Sequence, residues 1–249
     1  MPDSAAERMP RAVQSGRLED LDDGCLLEVL KHLTPLPDLF CTSRVNRRFR
    51  RLASDTRLWK LVTGAATPAD AAGGRRLAGR HGRRAYPTLQ AAVAASRPGD
   101  TIELEAAQVH EAADIAVRWP VRLRGGGAAP EDTVLLCPAG ADAALVFSAS
   151  GVLGNLSVHS GAIACLVHHR GRVMVQGCVL TCHAAPGLGH LFAPLVTLAW
   201  NGRGLLPPDG GVLTVVETRI LGSAGSQAVR AAGSGVLRGV FAAWWTVVR

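Results

Sequence analysis

The chain is poor in rings. Phe, Tyr and Trp together make up only 4% of its 249 residues, so the core has to be assembled from aliphatic and small side chains. Lysine is nearly absent: it stands only at Lys31 and Lys60, and the other 25 of the 27 cationic residues are arginine. No apolar run approaches the roughly 18–20 residues that a helix needs to cross a bilayer. The N-terminal residues lack the apolar stretch of a secretory signal. Neither a membrane nor secretion is therefore expected, and the expected location is cytoplasmic and/or nuclear. The six cysteines contain no C-x-x-C pair and sit in apolar surroundings, which argues against a disulfide framework or zinc ribbon and for reduced, mostly buried thiols. Acids are scarce in the second half. Between residues 143 and 249 only Asp209 and Glu217 are acidic.

That last shortage bears on chemistry. Glycoside hydrolysis needs paired carboxylates, and calcium-dependent cleavage needs clustered oxygen ligands. One carboxylate in a Pro-rich stretch and one in a strand serve neither. Glu103, Glu105, Glu111 and Asp114 lie closer together but read as solvated edge residues. Cys178-x-x-x-Cys182-His183 is a weak metal pattern, because Cys178 belongs to an apolar column described below. No catalytic residue, metal or cofactor is expected. The formal charge of +7 comes from arginine in an Ala/Gly-rich background, and nucleic acid is not expected as a partner.

What is present divides the chain by texture. Residues 1–16 are small, polar and aperiodic, and read as a disordered tail. From 17 to 62 apolar residues recur at helical spacing, in Leu26, Leu27, Leu30 and Leu33, then Leu39, Cys41 and Val45, then Phe49, Leu52, Leu58 and Trp59. Three short helices fit. A bundle of this size is marginal alone and should need a further surface to bury its leucines. Residues 63–84 are Ala/Gly-rich with five arginines between 75 and 84, the composition of a linker. Thr88 then caps a predicted short helix through Leu89, Ala92 and Val93, and Pro98-Gly99-Asp100 turns the chain into an alternating strand, Thr101 to Leu104.

From there strands are short and a repeat of 22 residues emerges. One column holds Val134, Leu156, Cys178, Thr218 and Val240. A second holds Leu136, Val158, Leu180, Ile220 and Ala242, and a third Leu153, Val175, Val215 and Leu237. Another face repeats as Leu145-Val146, Leu166-Val167, Leu195-Val196 and Val229. The irregular step of 40 residues from Cys178 to Thr218 contains a predicted loop insertion at 184–211. Such a unit is too short for a βαβ crossover. It predicts a parallel β-helix over 85–249, in which like residues stack in ladders; a β-sandwich with accidental spacing is the alternative.

The run Leu21-Asp22-Asp23-Gly24-Cys25-Leu26-Leu27-Glu28-Val29-Leu30, with Leu33, Pro35-Leu36, Asp38-Leu39, Val45-Asn46-Arg47-Arg48-Phe49 and Ala53-Ser54-Asp55-Thr56-Arg57-Leu58-Trp59, resembles an F-box. Asp22 stands where that family usually has proline, and Phe49 where it most often has tryptophan. The resemblance implies docking to the Skp adaptor and, through it, to a cullin-RING ubiquitin ligase. Leu21, Leu27, Leu30, Pro35, Leu36 and Trp59 are the candidate adaptor-binding residues. The stretch Tyr86 to Ile102 is similar to the entrance of pectate-lyase-like right-handed β-helices, where a short helix covers the first coil.

Together these predict a small α-helical F-box followed by a right-handed parallel β-helix. The function they imply is that of a non-catalytic substrate receptor for an unidentified protein. Candidate substrate-binding residues are His169, Arg170 and Arg172, which follow the buried-or-exposed pair His168-His169, and Phe192, Trp200 and Arg203 in the insertion. That insertion equally suits a loop folded back over the coils. The alternative function is a carbohydrate-binding or carbohydrate-active β-helix with a vestigial F-box.

Overall fold

The computed structural model describes residue 18 and residues 21–63, 84–183, 189–199, 211–223, 229–233, 236–240 and 245–248. The expected N-terminal tail, most of the linker, most of the 184–211 insertion and the last coil's Ala242 lie outside the described residues.

The first helices form where their caps dictate. Asp22 accepts the amide of Cys25 at 2.9 Å and starts α1 (Asp23–Leu30). An irregular turn, Pro35–Leu39, leads into α2 (Phe40–Ser43). Asn46 accepts the amide of Phe49 at 2.8 Å and starts α3 (Arg47–Ala53), and a 3₁₀ turn follows at Thr56–Leu58. Leu26, Leu27, Leu30, Phe49 and Leu52 form one buried cluster. Across its rim Asp23 accepts Arg48 Nε at 2.8 Å and also pairs with Arg51, tying α1 to α3.

Residues 60–62, expected to close the helical module, are instead a strand. β1 (Lys60–Val62) lies between β2 (Arg84–Tyr86) and β3 (Thr101–Leu104), parallel to both. Through β1 the module is thus joined to the sheets by backbone pairing. Between β2 and β3, Thr88 accepts the amide of Ala91 and caps α4 (Leu89–Ala94), as its sequence predicts.

From β3 onward the chain visits three sheets in turn. The first circuit is β3, β4 (Gln108–Glu111) and β5 (Ile115–Val117), and the second is β6 (Val121–Gly125), β7 (Thr133–Cys137) and β8 (Ala143–Phe147). Then come β9 (Gly151–Gly154), β10 (Ser157–Ser160) and β11 (Ala164–His168), followed by β12 (Arg172–Gln176), β13 (Val179–Cys182) and β14 (Leu195–Ala199). β15 (Val212–Val216), β16 (Arg219–Ser223), β17 (Val229–Gly233), β18 (Val236–Val240) and β19 (Trp245–Val248) complete the described chain. Each strand from β3 to β16 pairs in parallel with the strand three further on, giving sheets of eight, six and five strands; β1 and β2 extend the largest.

The interior is a set of stacked aliphatic columns. Ile102, Leu123, Leu153, Val175 and Val215 follow one another in the first sheet, and Ile115, Leu145, Leu166, Leu195 and Val229 in the third. The predicted Leu145, Leu166, Leu195 and Val229 ladder is thereby found as read, and so are Leu156 and Cys178 at 0 and 1% exposure.

All three columns depart from the 22-residue reading at one end or the other. Val158 pairs with Leu135 rather than Leu136, and Val134 faces Ser157, because the circuit from β7 to β10 is one residue longer. Leu136 is consequently turned outward, 48% exposed, while Leu135 is buried. At the far end Leu237 pairs with Leu213 and Val240 with Val216, so Val215 faces Gly239. Corners of unequal length cause both slips, since only the strands are bound to keep register.

Candidate functional site

Burial sorts the six residues expected to meet an adaptor. Leu27 and Leu30 are 2% and 3% exposed and belong to the helical core. They are corrected from docking to packing residues, since both are buried in the cluster with Leu26, Phe49 and Leu52. Leu21 and Leu36 are exposed, and Pro35 and Trp59 are half-buried. The exposed apolar side chains that sequence reasoning missed on this module are Leu18, Val29, Phe40 and Val45. Val29 lies on α1 and Phe40 on α2, where the rotation of each helix against its neighbours turns them outward, whereas Leu18 and Val45 lie outside α1–α3.

Pro35, Leu36 and Trp59 also face the sheets. With Phe40 they line a cavity of about 500 Å³ whose floor includes Arg122 and Val152. Gly99 lies under this corner with φ +89°, and a β-carbon there would come within 2.8 Å of Leu36 Cγ and 3.0 Å of Pro35 Cβ. The turn predicted at Pro98-Gly99-Asp100 is therefore the seat on which the Pro35-Leu36 corner rests. The Trp59 ring lies beneath Arg124, whose guanidinium carbon is 5.7 Å from its centroid.

The largest sheet continues this cavity outward. β6 alternates buried and exposed residues, which turns Arg122 and Arg124 to the outer face, and β12 does the same with Arg172, Met174 and Gln176. Register aligns Arg122 with Val152 and Met174, and Arg124 with Gly154 and Gln176. Two further cavities of about 380 Å³ each run over these rows, one across Arg172 and Met174 and one from Trp59 across Arg124 to Glu217. Of the substrate-binding candidates, Arg172 lies in this groove. His169 and Arg170 are exposed just before it. Phe192 is half-buried and leads into β14 in a different sheet, so the structure does not bring it beside Arg172. Trp200 and Arg203 lie outside the described residues. Arg122, Arg124 and Met174 were not singled out by sequence; the alternation Val-Arg-Leu-Arg in β6 was the available signal.

The pair His168-His169 splits as strand geometry requires. His168 is buried, with Nδ1 3.1 Å from Thr197 Oγ1 and Nε2 3.0 Å from the carbonyl of Gly171. The carbonyl can only accept, so Nε2 carries the proton and Nδ1 accepts from Thr197. Burial holds its pKa below that of a free imidazole, against the opposing pull of the Gly171 and Arg170 backbone. His159 on the second sheet is lowered for the same reason and by His183, whose ring stacks on it at 6.4 Å.

Nothing in this surroundings prepares a nucleophile. Burial pushes the Cys178 thiol up to about 11, and the Cys165 thiol, 3.7 Å from Cys182 Sγ, is raised well above its ordinary value by burial and by that neighbour. Asp114, one of the clustered acids, accepts the amides of Asp142 and Ala143 at 3.0 and 2.9 Å and so shapes the entry to β8. Among the described residues no three His, Cys, Asp or Glu side chains are grouped as a metal site.

The F-box-like family model matches residues 23–63, which covers the helical module and β1. Over 238 residues the chain is 34% identical to the F-box protein SKIP5 of Arabidopsis thaliana, an alignment spanning 90% of this chain and 81% of that protein. No solved structure matches. Because the likeness runs through the helical module and the sheets alike, the chain belongs to the F-box proteins.

Proposed function

We propose that this chain is the substrate-recognition subunit of a Skp-cullin-F-box ubiquitin ligase. Its helical module docks the Skp adaptor, and its sheets, wound as a right-handed parallel β-helix over residues 85–249, hold the substrate protein. The observation that carries this reading is the module's division of labour. Five residues form a small buried core while Leu18, Leu21, Val29 and Val45, all outside the cavity beside Trp59, remain exposed, more apolar surface than so small a unit leaves in water without a partner. The i-to-i+3 circuit of the strands supports the β-helix, and the joining of β1 to β3 supports a rigid relation between adaptor and substrate.

The mechanism is proximity. Holding the adaptor at one end and the substrate at the other raises the local concentration of substrate amines near the ligase's activated ubiquitin. No side chain of this chain needs to react, and the site of action is cytoplasmic and/or nuclear.

Titration calorimetry of the full chain against a Skp adaptor tests the reading. Wild type binds at submicromolar Kd, and a Val29→Asp, Val45→Asp double variant with unchanged circular dichroism binds at least a hundredfold more weakly, a loss of about 2.7 kcal/mol. Folded wild-type protein that shows no heat of binding overturns it.

A further inference from the structure

The outer face of the largest sheet carries Arg122, Arg124 and Arg172. Arg122 and Arg172 have no carboxylate partner among the described residues, and the contact of Arg124 is the Trp59 ring. The acids at the margin are few. Asp100 is buried and held by Lys60, Glu103 lies across from Arg124 in register, and Glu217 stands at the far rim. Between the arginines lie Val152 and Met174, the latter 39% exposed, and Gly154, where a side chain is missing from the floor. At the module end the groove deepens into the 500 Å³ cavity walled by Leu36, Phe40 and Trp59, within the size range of ligand pockets.

Resting on the receptor reading above, we infer that this groove binds an extended acidic segment of the substrate protein, with carboxylates on Arg122, Arg124 and Arg172 and one apolar side chain in the cavity beside Trp59. Charge and spacing both fit. Arg122 and Arg124 are alternate residues of one strand, about 6.6 Å apart, which is the separation of alternate side chains in an extended peptide. Arg172 lies two strands away, about 10 Å across the sheet and two residues along from the row of Arg122, so it meets a carboxylate further along a segment that crosses the strands obliquely. The Trp59 ring fixes Arg124 before binding, which reduces the ordering cost. A basic segment would meet three arginines, and a purely apolar one would leave their charges desolvated.

Panning a random dodecapeptide display library on the immobilised full chain, followed by fluorescence anisotropy with the enriched peptides as synthetic probes, tests this. Enrichment of Asp and Glu at alternate positions near an apolar residue is expected. Affinity should fall at least tenfold in an Arg122→Glu, Arg172→Glu variant, less in Arg122→Gln, and within twofold in Arg118→Glu, an exposed arginine outside the groove. Circular dichroism and adaptor titration on the same variants separate this result from unfolding and from failure of the receptor reading, since both should match wild type. Enriched peptides without acidic bias, affinity unaltered by charge reversal, a strict requirement for phosphoserine in the probe, or displacement of the peptide by the adaptor would each overturn the assignment.

Discussion

Lys60 and Asp100, forty residues apart, form an ion pair whose side chains are only 4% and 5% exposed. Lys60 also donates to the carbonyl of Ala95 at 2.8 Å, and Asp100 accepts the amide of Arg97 at 2.7 Å, so the pair fixes the turn after α4 against the first strand beyond the helices. Removing one partner strands the other charge in the interior. Lys60→Met should lose about 3–5 kcal/mol in urea denaturation, and Lys60→Met with Asp100→Asn should recover most of it, because the amide oxygen still accepts from Arg97. Equal losses in the single and double variants would show that the charge of Asp100 is not what the lysine neutralises.

The division of α1 into inward and outward residues predicts opposite phenotypes for neighbours. Leu27→Ala should cost about 2–5 kcal/mol of stability through the cavity it leaves. Val29→Ala, two residues on and exposed, should stay within about 0.5 kcal/mol. Thermal denaturation of the full chain reads both, and a Leu27→Ala protein as stable as wild type would refute its place in the core.

Gly99 gives a sharper case. Alanine there must adopt a positive φ and press on Leu36 and Pro35, so Gly99→Ala should destabilise by about 1–3 kcal/mol. The strain sits at the junction, and limited proteolysis should therefore find Gly99→Ala cut faster between the module and the sheets than within the sheets. Uniform acceleration would argue that the junction is not the weak point.

Buried His168 sets a pH dependence with a definite sign. Its pKa is lower folded than unfolded, because burial disfavours the imidazolium by more than the backbone of Gly171 and Arg170 favours it. The unfolded chain thus takes up the proton first. Stability from this group is complete above the unfolded pKa of about 6.5 and is lost progressively as pH falls from that value through the lower folded pKa. Urea midpoints measured between pH 8 and 5 should decline on the acid side, with His159 contributing in the same direction. A His168→Gln variant, although less stable, should show a shallower decline; an unchanged slope would assign the dependence elsewhere.

How much of this was legible in advance follows from which contacts are local. Thr88 over Ala91 and the turn at Gly99 are short-range, and the sequence announces them. Leu145, Leu166, Leu195 and Val229 repeat as Leu-Val or Val signatures that survive unequal corners. Leu135 and Leu136 defeat such reading, since adjacent leucines are equally apolar and one extra residue in a circuit decides which turns inward. Leu27 and Val29 differ only by helix rotation, which α3 sets from more than fifteen residues away. Arg122 and Arg172 meet only because two circuits stack, and fifty residues of intervening chain conceal the relation.

The stacking of circuits also sets a scale. Each circuit advances the sheets by one strand separation, about 4.8 Å, and bonds only to the circuits before and after it. A chain that duplicates or deletes one circuit would change the span between its ends by that single increment, with every remaining strand keeping its kind of neighbour. The architecture is in effect a graduated ruler, on which reach is altered in whole divisions while the helical module at the zero mark stays as it is.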